Sequence, residues 1–173
     1  MNCPSCGAPL NLEGSRDALA CDYCKSIYYP EKNDEGVRVL GDAAEACPEC
    51  SIPLMHAIFG RERIRYCVRC RGMLIPMDTF VALIEELKAE APGHGIPRAP
   101  DPRELNRHID CPQCRQRMDT HYYGGPGNVV IDDCSRCCLN WTDCGEMIRI
   151  AQAPDRSYDE SLDPAQNAFQ HQR

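Results

Sequence analysis

Large apolar side chains are scarce in this chain. Leu, Ile, Val and Phe supply 31 of its 173 residues, and there is a single Trp. A share below roughly one fifth, beside a net charge of −7, ordinarily leaves too little apolar surface to offset the entropy of folding. Long apolar runs are missing as well. The longest, Phe80 to Ile84, falls far short of the roughly 20 residues that cross a bilayer, so membrane insertion is not expected. The opening residues, Met1-Asn2-Cys3-Pro4-Ser5-Cys6, lack the basic and apolar regions of a signal peptide. The expected setting is therefore a reducing cytoplasm, where disulfides are rare and paired cysteines more often bind metal. Surplus positive charge is absent too, which argues against indiscriminate nucleic-acid binding.

What the chain has in abundance is cysteine, 14 in all, and the cysteines repeat. Cys3-Pro4-Ser5-Cys6, Cys47-Pro48-Glu49-Cys50 and Cys111-Pro112-Gln113-Cys114 each precede, after three variable residues, a long aliphatic side chain: Leu10, Leu54 and Met118. Each is followed by a second pair, Cys21/Cys24, Cys67/Cys70 and Cys134/Cys137, across gaps of 14, 16 and 19 residues. Two residues between cysteines let one tight turn aim both sulfurs at one ion. A hairpin then brings the second turn opposite the first and closes a tetrahedral four-sulfur site. Such a site leaves no open coordination position, so its expected role is structural. Zn²⁺ is the expected ion, about three per chain, although ligand type alone does not separate zinc from iron. Twelve thiolates and three Zn²⁺ ions would take the net charge from −7 to −13.

The expected fold class is a small, metal-stabilised, β-rich α+β protein of three tandem zinc ribbons, with short helices after the second and third. Ribbon one covers 1–30 and an acidic linker covers 31–46, although Gly36 to Leu40 has the composition of a strand. Ribbon two and an amphipathic helix occupy 47–91, the helix carrying Phe80, Leu83, Ile84 and Leu87 at helical spacing behind a cap at Asp78 or Thr79. A Pro-rich linker spans 92–110. Ribbon three and a short helix fill 111–152, with Asp143 and Glu146 spaced as a capping box. A disordered tail is expected over 153–173.

Three other features carry possible chemistry. Arg61, Arg63, Arg65, Arg69 and Arg71 form the one basic cluster, either a solvated strand face or a docking surface for an acidic protein or a nucleic-acid backbone. Cys138 and Cys144 lie outside the twelve; they are small thiols by default, with a redox or alternative-ligand role as the competing reading. His94, His108 and His121 are surplus to cysteine sets that are already complete. Asp132 and Asp133 are adjacent on a strand and face opposite ways, which is unsuited to paired acid–base work.

Ribbons two and three resemble the transcription factor IIB-type zinc-ribbon domain of bacterial proteins. That pattern runs Cys-Pro-x-Cys, Leu, Cys-x-x-Cys-x-Gly-x-Trp-Leu-Asp-x-x-Glu-Leu. Ribbon three meets it at Cys111, Cys114, Met118, Cys134, Cys137, Trp141, Asp143, Glu146 and Met147, and departs at Leu139 and Thr142. Ribbon two keeps its four cysteines, Leu54 and Gly72, but has Leu74, Pro76 and Thr79 where the pattern has Trp, Asp and Glu. Ribbon one keeps only the cysteine framework and Leu10. With no catalytic constellation and no small-molecule site, the chain reads as a non-catalytic zinc-binding adaptor for protein partners, an accessory subunit of a larger complex. Nucleic-acid or transcription-machinery binding through the ribbon-two arginines is the alternative, and zinc or redox sensing through Cys138 and Cys144 is a second.

Overall fold

The fold is organised by its cysteine turns. The computed structural model describes residues 1–12, 18–90, 99, 101–124 and 128–153. In the turns, the residue after the second cysteine returns its N–H to the carbonyl of the first: Gly7 to Cys3 at 2.8 Å, Lys25 to Cys21 at 2.9 Å, Ser51 to Cys47 at 2.9 Å, Arg71 to Cys67 at 2.8 Å and Arg115 to Cys111 at 2.9 Å. All six turns place this residue in the left-handed region, from φ 53° at Cys138 to 76° at Gly7. Only Gly7 adopts that conformation freely. Each of the others bears a penalty of roughly 1–2 kcal/mol and is retained because the turn needs it.

Unit one (1–30) builds a three-stranded antiparallel sheet of β1 (Leu10–Leu12), β2 (Leu19–Cys21) and β3 (Ile27–Tyr28), in that order. Units two (47–91) and three (111–152) do not form separate sheets. β4 (Arg38–Ala46), β5 (Pro53–Phe59), β6 (Glu62–Tyr66), β7 (Met73–Pro76), β8 (Asp119–Tyr122), β9 (Val130–Cys134) and β10 (Leu139–Thr142) share one seven-stranded sheet. Its order is β4-β5-β6-β7-β10-β9-β8, so the units join where β7 meets β10.

That junction is a pseudo-twofold axis. Leu74 stands four residues past Cys70 and Trp141 four past Cys137, and they face each other in the antiparallel register. Ile75 pairs with Asn140 and Met73 with Thr142, as the same axis requires. α1 (Met77–Glu90) follows β7, α2 (Glu146–Ala151) follows β10, and the two helices pack together on one face. Beneath them Phe59, Ile64, Tyr66, Met73 and Ile75 from unit two meet Val129, Ile131, Met147 and Ile150 from unit three. The helix stripe Phe80, Leu83 and Ile84 is buried in this shared core. The opposite face carries the cysteines with Leu54, Leu74, Ile109, Met118 and Trp141. At its far end Leu19, Leu10 and Tyr28 of unit one rest on Leu40 and Ile58.

The axis is not symmetric in its side chains. Gly72 has no side chain, and the ring of Trp141 fills the vacated space; a Cβ on Gly72 would lie 2.3 Å from Trp141 Cζ2. The equivalent position in unit three is Leu139, which packs in the same cluster as Leu74. One side of the axis is filled by Trp on Gly and the other by Leu and Leu.

The segment 31–46, expected to be a linker, instead supplies β4, nine residues long and paired with β5 through two register shifts. The acids of this segment also explain the arginine cluster. Arg65 Nε lies 3.3 Å from Glu45 and Arg71 Nη1 lies 2.6 Å from Glu35. Two of the five arginines are thus paired with acids of the segment that carries β4. Within 92–110, a 3-10 turn forms over Pro102–Asn106, capped by Asp101, and Ile109 is buried. Residues 92–98 and 100 of that linker, and the tail beyond Ala153, lie outside the described residues. Among the described residues no helix is long and apolar enough to cross a membrane.

Candidate metal centres

The turns bring the twelve cysteines together as three sets: Cys3, Cys6, Cys21, Cys24; Cys47, Cys50, Cys67, Cys70; and Cys111, Cys114, Cys134, Cys137. Within each set all four sulfurs lie within 4.8 Å of one another. Sγ–Sγ separations are 3.6 Å for Cys3–Cys24, 3.5 Å for Cys6–Cys21, 3.6 Å for Cys47–Cys70 and 3.7 Å for Cys114–Cys134. These are far beyond the roughly 2.05 Å of a disulfide. Four thiolates about 2.3 Å from one ion would stand about 3.8 Å apart along the tetrahedron's edges, so the sets have the dimensions of a four-sulfur metal site.

The thiols also show why a cation belongs there. In unit three, the backbone N–H of Gln116 and hydrogen bonds from its companion thiols, working against burial, draw Cys114 down to about 7. Burial, and then hydrogen bonds with Cys114, Cys111 and Cys134, push Cys137 up to about 12. Four thiols at this distance cannot all ionise unless a positive ion replaces their protons.

Burial follows one rule in every set. The first cysteine of each pair is buried and the second is more open: intermediate in units two and three, fully exposed at Cys6 and Cys24 in unit one. The sets of units two and three flank one apolar cluster with Trp141 at its centre. The set of unit one stands apart from that cluster. Cys137 completes the third set, whereas Cys138 points outward, its thiol 3.7 Å from the Ser135 carbonyl. Cys144 is exposed and belongs to no set.

The five arginines are largely engaged within the chain. Besides the two pairs above, Arg61 lies 3.5 Å from Glu86 of α1, and Arg63 is also partnered. Arg69 is exposed. Of the histidines, His121 pairs with Asp133 at 3.3 Å and His108 is exposed, while His94 lies outside the described residues.

Sequence reasoning passed over Arg107, which ties units two and three together. Its guanidinium reaches Glu49 in the first turn of unit two at 3.3 Å, Asp132 on β9 at 3.1 Å, and Asp143 beyond β10. Asp132 is fully buried, and its other oxygen accepts from Thr120 at 2.5 Å. Glu146 lies beside this group and accepts the Asp143 N–H at 2.7 Å, the contact a capping box would make, but α2 starts at Glu146 itself with Gly145 as its N-cap. The Asp143 carboxylate turns to Arg107 instead of the helix. A single Arg behind a Pro-rich stretch carries no motif by which it could have been singled out. No protein-family model, curated protein or solved structure matches this chain.

Proposed function

We propose that the chain is a non-catalytic, zinc-stabilised adaptor: three zinc ribbons that present rigid surfaces to protein partners, as an accessory subunit of a larger cytoplasmic complex. The observation that carries this reading is the closure of the sites. Each possible ion has four sulfurs around it and no further ligand position to offer, so its contribution is to hold the fold rather than to react. Zinc suits the role because it is redox-inert and accepts four thiolates tetrahedrally. The assignment of units two and three to transcription factor IIB-type ribbons rests on their motif residues, chiefly Trp141, Asp143 and Glu146. It leaves the pathway open.

Nucleic-acid binding through Arg61, Arg63, Arg65, Arg69 and Arg71 is disfavoured because most of these arginines already have partners in the chain. Affinity purification from the native host tests the adaptor reading. Protein partners should survive nuclease treatment and high salt, and loss of every partner under those conditions would sink it. Native mass spectrometry should find about three zinc ions per chain; iron, or no metal, would remove the basis for closed zinc sites. Peroxide-driven zinc release blunted by Cys144→Ser would instead favour a redox sensor.

A further inference from the structure

Units two and three use one strand edge to join, and unit one carries the same strand with that edge unused. β3 occupies the place of β7 and β10: Tyr28 stands four residues past Cys24, as Leu74 does past Cys70 and Trp141 past Cys137. The internal register agrees as well, with Leu19 opposite Tyr28, Arg65 opposite Leu74 and Asp132 opposite Trp141. Pro30 even repeats the position of Pro76, which closes the β7–β10 ladder opposite Leu139. Among the described residues, however, β3 is the edge of its sheet and pairs only with β2. The face that α1 covers in unit two is bare here. Ile27 and Tyr29, equivalents of the buried Met73 and Ile75, are 45% and 61% exposed, and Tyr23 in the adjoining cysteine turn is 83% exposed.

We propose that this edge is a homodimer interface, on which β3 of a second copy pairs antiparallel about a true twofold axis through Tyr28. An open strand edge beside apolar side chains is a ready template for another strand. The argument for a second copy, rather than any other strand, is self-complementarity. Pairing in the β7–β10 register sets Tyr28 against the partner's Tyr28, and Ile27 against the partner's Tyr29. The twofold axis makes the second of these pairs twice. An aromatic residue opposite a β-branched one is a favourable cross-strand pair. One step further out, the same register brings exposed Lys25 opposite the partner's Glu31, again twice, with opposite charges meeting. A symmetric contact of this kind closes on itself and gives a dimer rather than a fibre. It rests on the sheet edge alone and does not depend on the adaptor reading.

Sedimentation velocity on the zinc-loaded full chain, across a concentration series, tests this. The expected result is a reversible shift from 19.4 kDa to twice that mass. Ile27→Glu/Tyr29→Glu, which sets carboxylates directly across the axis, should abolish the shift while zinc content and Trp141 emission stay unchanged. Lys25→Glu should weaken the dimer at least several-fold, and adding Glu31→Lys should restore it. Should the double Glu variant lose its metal, the charge swap decides the matter through the same measurement. A chain that stays monomeric throughout overturns the proposal. So does a dimer indifferent to all of these substitutions, because its interface would then lie elsewhere.

Discussion

Replacing Gly72 with alanine drives a methyl group into the ring of Trp141. The new Cβ would lie 2.3 Å from Cζ2, 2.7 Å from Cη2 and 3.0 Å from Cε2. Carbon atoms in contact prefer about 3.5–4.0 Å, so the ring and the β7 backbone must part by more than ~1 Å. Neither can do so cheaply. The ring is 0% exposed and lies among the cysteines of two units, while β7 is bonded on both sides, to β6 and to β10. Among the described residues the indole N–H has no hydrogen-bond partner, so packing is what holds the ring there. Overpacking typically costs 1–3 kcal/mol, and a clash this short in a site this enclosed belongs at about 3 kcal/mol. For a chain of this size that is a fall in Tm of roughly 6–12 °C.

Trp141 is the only tryptophan, so its emission reports on the junction itself. Thermal and denaturant unfolding of the zinc-loaded protein at fixed free zinc should show the loss, with emission shifted toward that of a hydrated indole. Trp141→Leu alone should also destabilise, by up to about 3 kcal/mol, through the cavity it leaves. The two changes together should cost clearly less than their sum, with a coupling of about 1–3 kcal/mol. The protein already contains the combined solution on the other side of the axis, where Leu74 and Leu139 share one cluster. Additive losses, or a Gly72→Ala protein with unchanged Tm and emission, would refute the packing argument.

Chelation should unfold the chain in two stages, because apparent binding free energies of structural zinc, about 10–16 kcal/mol, exceed the stability of so thin a core. The set with exposed Cys6 and Cys24 should empty first without altering Trp141 emission, and a single phase with emission in step would contradict this. Arg107→Met should cost about 3–5 kcal/mol by leaving an ion pair broken at Asp132, whose side chain is 1% exposed. Adding Asp132→Asn should recover much of that loss, and an unchanged Tm in Arg107→Met would remove Arg107 from its bridging role. Glu146 is pushed up to about 7 by burial, and then by the charge of Asp143, against the Asp143 N–H, Arg149 and Arg107. Because its folded value is raised, its ionisation penalty is absent below about pH 4.5 and grows as pH rises through about 7. Glu146→Gln keeps the acceptor for the Asp143 N–H, so its stability should gain on that of the parent protein as pH rises from about 4.5 to about 7, by at most ~3 kcal/mol, and hold that lead at higher pH; a pH-independent difference would refute the raised value.

The cysteine sets were legible in the sequence because their chemistry is local. Two cysteines in one tight turn fix each other's direction, and the spacing between pairs fixes the rest. The helix of unit two was legible for a similar reason, its apolar period being contained in one segment. β4 was legible only at its start, where Gly36 to Leu40 has strand composition, because Gly41, Asp42, Ala43, Ala44, Glu45 and Ala46 are poor strand formers. What holds them extended is pairing to β5 and the Glu45–Arg65 ion pair, both supplied by residues elsewhere in the chain. The joining of units two and three was hidden in the same way. Nothing within either unit announces that its last strand will meet the other's.

The departures between those two units nevertheless encode the choice once they are placed side by side. Were unit three to pair with a copy of itself, Trp141 would fall on Leu139 rather than on Gly72, and the ring would have no room. Were unit two to pair with a copy of itself, Leu74 would lie over Gly72 and leave a void where the indole now sits. Only the mixed pairing fills both sides of the axis, with Trp on Gly at one and Leu with Leu at the other. Specificity of this kind comes as much from spoiling the wrong pairings as from improving the right one. Unit one carries no such asymmetry. Ile27, Tyr28 and Tyr29 are compatible with their own copies, and Lys25 and Glu31 reinforce that match. Two units have thus become committed to each other inside the chain, while the third keeps an edge suited to a symmetric partner outside it.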